Sequence, residues 1–267
     1  MEHRPKKRFG QNFLRDLSVV EAILTAAGLQ PSDRVLEIGP GLGVLTERML
    51  PQVERLLVME LDRDLVQRLE ERGGERLEIH SGDALDMDWA EILGAPPYKL
   101  VANLPYNISS QIIFKVLEHR ERFSRLVLMF QKEVGERLRA SPGTKEYGIL
   151  SVFCRLWFDI RRVTSVPPGA FHPPPKVHSV VLAFEPLAGP RVPVADEPFF
   201  RRVVKGAFGQ RRKTLRNALL AAGFVAAQVD RACAGTDIDP GRRGETLDLD
   251  EFARLARALQ SIESGAR

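Results

Sequence analysis

Val35-Leu36-Glu37-Ile38-Gly39-Pro40-Gly41-Leu42-Gly43 decides the fold. Arg34–Ile38 is a short apolar run of strand character, and a helical pattern resumes from Val44 to Leu50. Between them lies a turn with glycine at alternate positions, where the backbone adopts angles closed to other residues and a ligand can approach it closely. The dinucleotide fingerprint G-x-G-x-x-G needs glycine at Val44 and fails there. The turn suits a cofactor with an amino-acid tail and no pyrophosphate.

Outward from this unit, strands and helices alternate. Leu56–Glu60, Leu77–His80, Lys99–Ala102 and Leu126–Phe130 read as further strands, with helices near Asp64–Arg72 and Ser110–His119. A helix at 17–28 precedes them, and two more β-rich runs, Ser151–Phe158 and Val177–Phe184, close the series. The expectation is an α/β domain with a mostly parallel sheet, helices on both faces and an antiparallel hairpin at one edge. Pro186, Gly189, Pro190, Pro193 and Pro198 mark a linker. The first domain is assigned to 1–187 and a small all-helical one to 188–267, with helices over Phe199–Phe208, Thr214–Ala222, Ala226–Ala234 and from about Asp248. Asp248 and Glu251 have the spacing of a capping box.

The chain has 267 residues, 44% of them hydrophobic, enough for a large core without covalent staples. Its two cysteines, Cys154 and Cys233, form no C-x-x-C pair, which argues against a disulfide scaffold or a cysteine-rich zinc site. No apolar run has membrane-spanning length, and the basic N-terminus lacks the apolar stretch of a signal peptide, so the cytoplasm is the expected compartment. The net charge is only +4, but it is unevenly spread. Residues 1–15 carry Arg4, Lys6, Lys7, Arg8 and Arg15 against Glu2 alone. From Phe199 to Val229 there is no acid, yet Arg201, Arg202, Lys205, Arg211, Arg212, Lys213 and Arg216 are present. Two basic patches on an otherwise acidic body suggest a polyanionic partner such as a nucleic acid, with Lys6, Lys7, Arg8, Arg211, Arg212, Lys213 and Arg216 as the candidates to face it.

The candidate site residues fall at successive strand ends, where open α/β sheets bind ligands. Gly39, Gly41 and Gly43 follow the first sheet strand. Glu60, with Leu61 beside it, ends the second and suits a pair of ribose hydroxyls. Asp83-Ala84 follows the third, where the carboxylate suits an adenine amine. Asn103-Leu104-Pro105-Tyr106 follows the fourth and suits methyl transfer to an exocyclic adenine amine. That nitrogen is a poor nucleophile, because its lone pair is delocalised into the ring. The Asn103 side-chain oxygen and the Leu104 carbonyl can accept its two N–H hydrogens and turn the lone pair towards a sulfonium methyl. Pro105 stiffens the turn and Tyr106 offers a stacking ring for an extruded base. Histidines 3, 80, 119, 172 and 178 show no ligand spacing, so no metal is expected.

Eight motifs in order resemble the KsgA- or RsmA-type ribosomal RNA adenine N6,N6-dimethyltransferases. Besides the glycine loop, Glu60, Asp83-Ala84 and Asn103–Tyr106, they are Phe9-Gly-Gln11-Asn12-Phe13-Leu14, Gln131-Lys-Glu-Val-Gly-Glu-Arg137-Leu138, Pro168-Gly-Ala-Phe171-His-Pro-Pro-Pro-Lys176-Val177-His-Ser179 and Phe208-Gly-Gln-Arg211-Arg212-Lys213-Thr214-Leu215. The resemblance implies S-adenosylmethionine as cofactor, with Gln11, Asn12 and Leu14 as further contacts, and Asn103 is expected to touch the cofactor as well as the target. It implies that Phe171 packs on the target adenine opposite Tyr106. It also implies a Rossmann-like class I methyltransferase sheet of seven strands with a helical C-terminal domain, and a monomer. The implied substrate is two adjacent adenosines near the 3′ end of small-subunit (16S) ribosomal RNA, methylated on the 30S assembly particle. Gly169 stands where the family often has serine. The nearest rival is a large-subunit RNA methyltransferase of the macrolide-resistance type; a binding module that lost its chemistry is another. Intact Asn103 and Tyr106 argue against the module, and Leu104 breaks the N-P-P-Y of protein-glutamine methyltransferases.

Overall fold

The computed structural model describes residues 5, 6 and 10–265. Lys7 and Arg8, two of the expected RNA contacts, lie outside the described residues. The strands are β1 (Phe13–Leu14), β2 (Arg34–Ile38), β3 (Arg55–Glu60), β4 (Leu77–Ser81), β5 (Tyr98–Asn103), β6 (Phe123–Gln131), β7 (Phe158–Val166), β8 (Phe171–His172) and β9 (Ser179–Pro186). The helices are α1 (Leu17–Ala27), α2 (Thr46–Met49), α3 (Arg63–Glu70), α4 (Trp89–Leu93), α5 (Ser109–Glu118), α6 (Lys132–Arg139), α7 (Ile149–Trp157), α8 (Glu197–Phe208), α9 (Leu215–Ala221), α10 (Ala226–Thr236) and α11 (Leu249–Gly265).

Seven strands form one sheet in the order β4-β3-β2-β5-β6-β9-β7. The strands from β4 to β6 pair in parallel, whereas β9 runs antiparallel to both β6 and β7. The expected antiparallel edge is therefore present, with the later strand inserted inside the earlier one. Strands buried on both faces need apolar residues at every position, not alternate ones. Leu126–Phe130 in β6 and Val180–Phe184 in β9 meet that demand, all at 3% exposure or less. The outer strand β7 faces water and carries Arg161 and Arg162, charges that discourage pairing with another edge. Chain reversal between β2 and β5 leaves a crevice at the carboxyl ends of the central strands.

The chain divides into two compact units, Met1–Gly135 with Phe158–Pro186 and Glu136–Trp157 with Leu187–Arg267. The expected break at 187/188 falls one residue from the last of three crossings, at 186/187; it misses those at 135/136 and 157/158, because 136–157 belongs with the later helices. The β-rich reading of Ser151–Phe158 is corrected as well: this stretch is α7, and the strand starts at Phe158. Ile149, Val152, Phe153 and Leu156 recur at helical spacing, and the Phe153 ring lies 6.4 Å from Phe200 of α8. A short, largely apolar run suits a buried strand and a buried helix alike, and here tertiary packing chose the helix. In the same unit the Asp248–Glu251 box closes reciprocally. Glu251 N donates to Asp248 Oδ1 at 2.8 Å and Asp248 N to Glu251 Oε2 at 2.9 Å, which stabilises the start of α11 by about 1 kcal/mol.

Candidate active site

A cavity of about 360 Å³ opens at the carboxyl ends of β2 to β5, all within the first unit. It brings together Gln11, Asn12, Leu14, Gly39, Gly41, Glu60, Leu61, Asp83, Ala84 and Asn103–Tyr106. Residues 10–14 form an arm that walls one side, with β1 pairing to β8 through Leu14 and Phe171.

The glycine turn is cut to fit its neighbours as well as a ligand. Gly39 and Gly41 have φ of +66° and +60°, a region L side chains avoid. A Cβ on Gly41 would stand 2.9 Å from the Phe13 ring, and one on Gly39 would stand 3.2 Å from Pro105. Glycine therefore lets both the arm and the tetrapeptide close on the loop. Gly43 is not on the cavity wall; its φ of +84° turns the chain into α2, while Leu42 and Val44 supply the lining.

Glu60 is 6% exposed, and burial pushes its carboxyl up; backbone N–H groups of Asp62 at 2.8 Å and Gly41 at 3.3 Å oppose that shift. A buried carboxylate braced by two amides is a rigid acceptor for ligand hydroxyls. Asp83 spends Oδ1 on the N–H of Leu85 at 2.9 Å, within a turn at the cavity edge. Asn103 donates from Nδ2 to the carbonyl of Asn12 at 3.2 Å. Among the described residues nothing donates to its Oδ1 or to the Leu104 carbonyl, so both acceptors on the wall are available. The Tyr106 hydroxyl lies 2.6 Å from Ser179 Oγ; burial raises its pKa against that bond.

Several expected residues are placed otherwise. Phe171 is 4% exposed, packs in the core beside Leu14, and does not line the cavity. Successive side chains of a strand point to opposite sides, and on β8 the phenylalanine takes the core while His172 takes solvent. Lys6 does not stand ready for a phosphate: its Nζ lies 2.5 Å from Asp62 and 2.7 Å from Asp64. In the second unit, Arg211–Lys213 lie on a turn between α8 and α9. Arg211 reaches the Lys145 carbonyl at 2.6 Å and Glu245 at 3.3 Å, and Arg216 clasps Asp230 through two bonds of 2.6 and 2.9 Å. Arg212 and Lys213 are exposed, with no ion pair among the described residues.

The structure also adds residues. Glu37, inside the decisive stretch, lines the cavity at 1% exposure; burial pushes its carboxyl up to about 8, although the Thr46 hydroxyl donates to it at 2.6 Å. Asn107 continues the tetrapeptide on the wall, and Gly10 approaches it closely. Asp62 ties the arm down, and its only signal in the sequence is adjacency to Glu60 and Leu61. No described group of His, Cys, Asp and Glu has the arrangement of a metal site.

Comparison with known proteins fits this geometry. Residues 2–260 match the family described as "Ribosomal RNA adenine dimethylase". The chain is 65% identical to the ribosomal RNA small subunit methyltransferase A of Syntrophotalea carbinolica, covering 97% of this chain and 98% of that one. Among solved structures it is similar to a dimethyladenosine transferase from Plasmodium falciparum, with a TM-score of 0.76, 28% identity and coverage of 95% and 98%. It is also similar to the 23S rRNA methyltransferase ErmE, with a TM-score of 0.70, 26% identity and coverage of 93% and 100%.

Proposed function

The chain belongs to the ribosomal RNA adenine dimethylase family, and on that premise we propose that it dimethylates the N6 amines of two adjacent adenosines near the 3′ end of small-subunit (16S) ribosomal RNA. It is an S-adenosylmethionine-dependent methyltransferase. One observation carries the reading: a single cavity holds the Glu60 and Asp83 carboxylates beside two unclaimed acceptors, Asn103 Oδ1 and the Leu104 carbonyl.

The residues fit the cofactor. Gly39 and Gly41 bring the loop backbone to the cavity wall, Glu60 would accept from paired ribose hydroxyls, and Asp83 with Ala84 would border the adenine end. Gln11, Asn12, Leu14, Gly39, Gly41 and Leu61 complete the wall. The bound cofactor supplies an electrophilic methyl group on a sulfonium. The protein then has to orient the acceptor and exclude water. Asn103 Oδ1 and the Leu104 carbonyl accept the amine hydrogens, which localises the lone pair and aligns it for transfer. Both acceptors are fixed before the base arrives, so no reorganisation is needed at the moment of reaction. Pro105 holds the turn, and Tyr106 stacks on the extruded base. Phe171, in its buried place, supports the arm through β1.

The proposed working partner is the 30S assembly particle, met by a monomer in the cytoplasm; no described helix is long and apolar enough to cross a membrane. Among the expected RNA contacts that are described, Arg212 and Lys213 have no ion pair and can meet phosphates, with Arg211 beside them. Radiolabelled methyl transfer to unmethylated small-subunit particles, run beside large-subunit RNA, tests the reading. Dimethyladenosine in small-subunit RNA alone is expected. Label confined to large-subunit RNA would move the assignment to the resistance-type reaction.

A further inference from the structure

Residues 10–14 wall the cavity, yet they hold few ladder bonds of their own: β1 is only two residues long. What fixes the arm lies at the far side of the cavity mouth, on the loop after Glu60. Asp62 is 2% exposed, and at least three donors reach its carboxylate. Lys6 Nζ reaches Oδ1 at 2.5 Å, Gln11 Nε2 reaches Oδ2 at 2.9 Å, and Asp64 N reaches Oδ1 at 3.2 Å. The Lys6 backbone N–H also donates to Gln11 Oε1 at 2.7 Å, so lysine, glutamine and aspartate close one ring of bonds. The next residue along the arm, Asn12, offers its carbonyl to Asn103 Nδ2 at 3.2 Å. An amide has one donor end and one acceptor end, and the two point apart. Holding Nδ2 on the arm therefore dictates that Oδ1 faces away from it, on the cavity wall.

We propose that Asp62 is a positioning residue for methyl transfer: it latches the arm, and the arm's Asn12 carbonyl sets which end of the Asn103 amide meets the target amine. The bland account of Asp62 is a helix cap for α3, since its side chain accepts from the first turn. A cap alone does not explain the lysine and the glutamine that converge on the same carboxylate from more than fifty positions away. The proposal rests on the reading of Asn103 as acceptor of the target amine.

The test compares Asp62→Asn, Lys6→Met and Lys6→Arg in the full chain. Asparagine caps a helix as well as aspartate does, so Asp62→Asn keeps the cap and removes the charge that holds Lys6. Lys6→Met unlatches from the other, 30%-exposed partner and spares the interior if Asp62→Asn folds poorly. Asp62→Asn and Lys6→Met should each lower kcat about tenfold with cofactor and RNA both saturating, and speed cofactor dissociation by a similar factor. Lys6→Arg should restore both. An unchanged kcat in the two unlatched variants overturns the proposal. So does a loss confined to subsaturating cofactor, with kcat intact, because the arm would then be a cover and nothing more. Cofactor dissociation needs no RNA. If the wild-type chain failed to methylate small-subunit RNA, the functional reading would fall, while an unaltered dissociation rate would sink the latch by itself.

Discussion

Tyr106 and Ser179 share a hydrogen bond of 2.6 Å that ties the tetrapeptide to the first residue of β9. Ser179 is 1% exposed, so its hydroxyl is a fixed post and not a mobile surface group. A ring that must stack on an extruded base gains from being held in plane before the base arrives. Tyr106→Phe and Ser179→Ala remove opposite halves of one bond. Each should slow methyl transfer three- to tenfold, about 1 kcal/mol, and the double variant should be no slower than either single one. Cofactor affinity should stay unchanged. Additive losses in single-turnover assays would mean the two hydroxyls act separately.

Asn103→Ala removes an acceptor made for the transition state. It should cut kcat by about two to three orders of magnitude while the cofactor dissociation constant moves only a few-fold. Calorimetric titration of the cofactor, paired with turnover on RNA, separates the two. Near-normal turnover would discard the acceptor mechanism.

Glu60→Gln should show the opposite split. Removing the braced carboxylate weakens ribose binding, so cofactor affinity should fall about tenfold or more, with kcat at saturating cofactor largely kept. An unaltered affinity would free Glu60 of any ribose role.

Reversing Arg212 and Lys213 to glutamate should weaken RNA binding and flatten its dependence on salt. Every phosphate that the variant no longer neutralises lowers the log–log slope by about 0.7–0.9. Arg216→Ala makes an internal contrast. Its guanidinium already clasps Asp230, so the salt slope should barely move. A filter-binding series across ionic strength reads both.

Glu37 links stability to pH. In the unfolded chain its carboxyl ionises near 4.5, whereas in the fold it keeps its proton up to about 8. Between these values the folded state binds more protons, so this group makes stability fall as pH rises. Glu37→Gln keeps the shape and removes the titration. The variant should match the wild type near the lower end and exceed it near the upper end, by an amount on the order of 1–3 kcal/mol. Melting temperatures across that range provide the check, and parallel curves would refute it.

Much of this site is legible in the sequence because its signals are local. Gly39–Gly43, Glu60, Asp83 and Asn103–Tyr106 each follow a strand directly, and the sheet carries every strand end to one crevice. What stays hidden depends on partners remote in sequence. Lys6 resembles a phosphate contact until Asp62 is seen to face it, and Arg216 resembles a free cation until Asp230 is. Phe171 carries an aromatic ring to the right neighbourhood, but strand parity turns it into the core. Glu37 has the sequence signature of a strand residue alone, because periodicity does not tell which buried side chain also borders a cavity. The run at 149–157 has apolar residues at helical spacing, but Val152, Phe153 and Cys154 stand in succession and mask that phase when the run is read as a strand.

The second unit is assembled from an excursion between β6 and β7 together with the chain after Pro186. Tyr147 and Phe153 lie on the excursion, and their ring partners Phe208 and Phe200 lie beyond the linker. The two units are therefore interleaved along the gene, not appended one after the other. A stop codon after Pro186 would strand half of a helical core with its apolar faces bare. Grafting a foreign helical domain onto this enzyme, in the laboratory or by recombination, needs three simultaneous junctions, so change by stepwise substitution of the existing domain is the more accessible route.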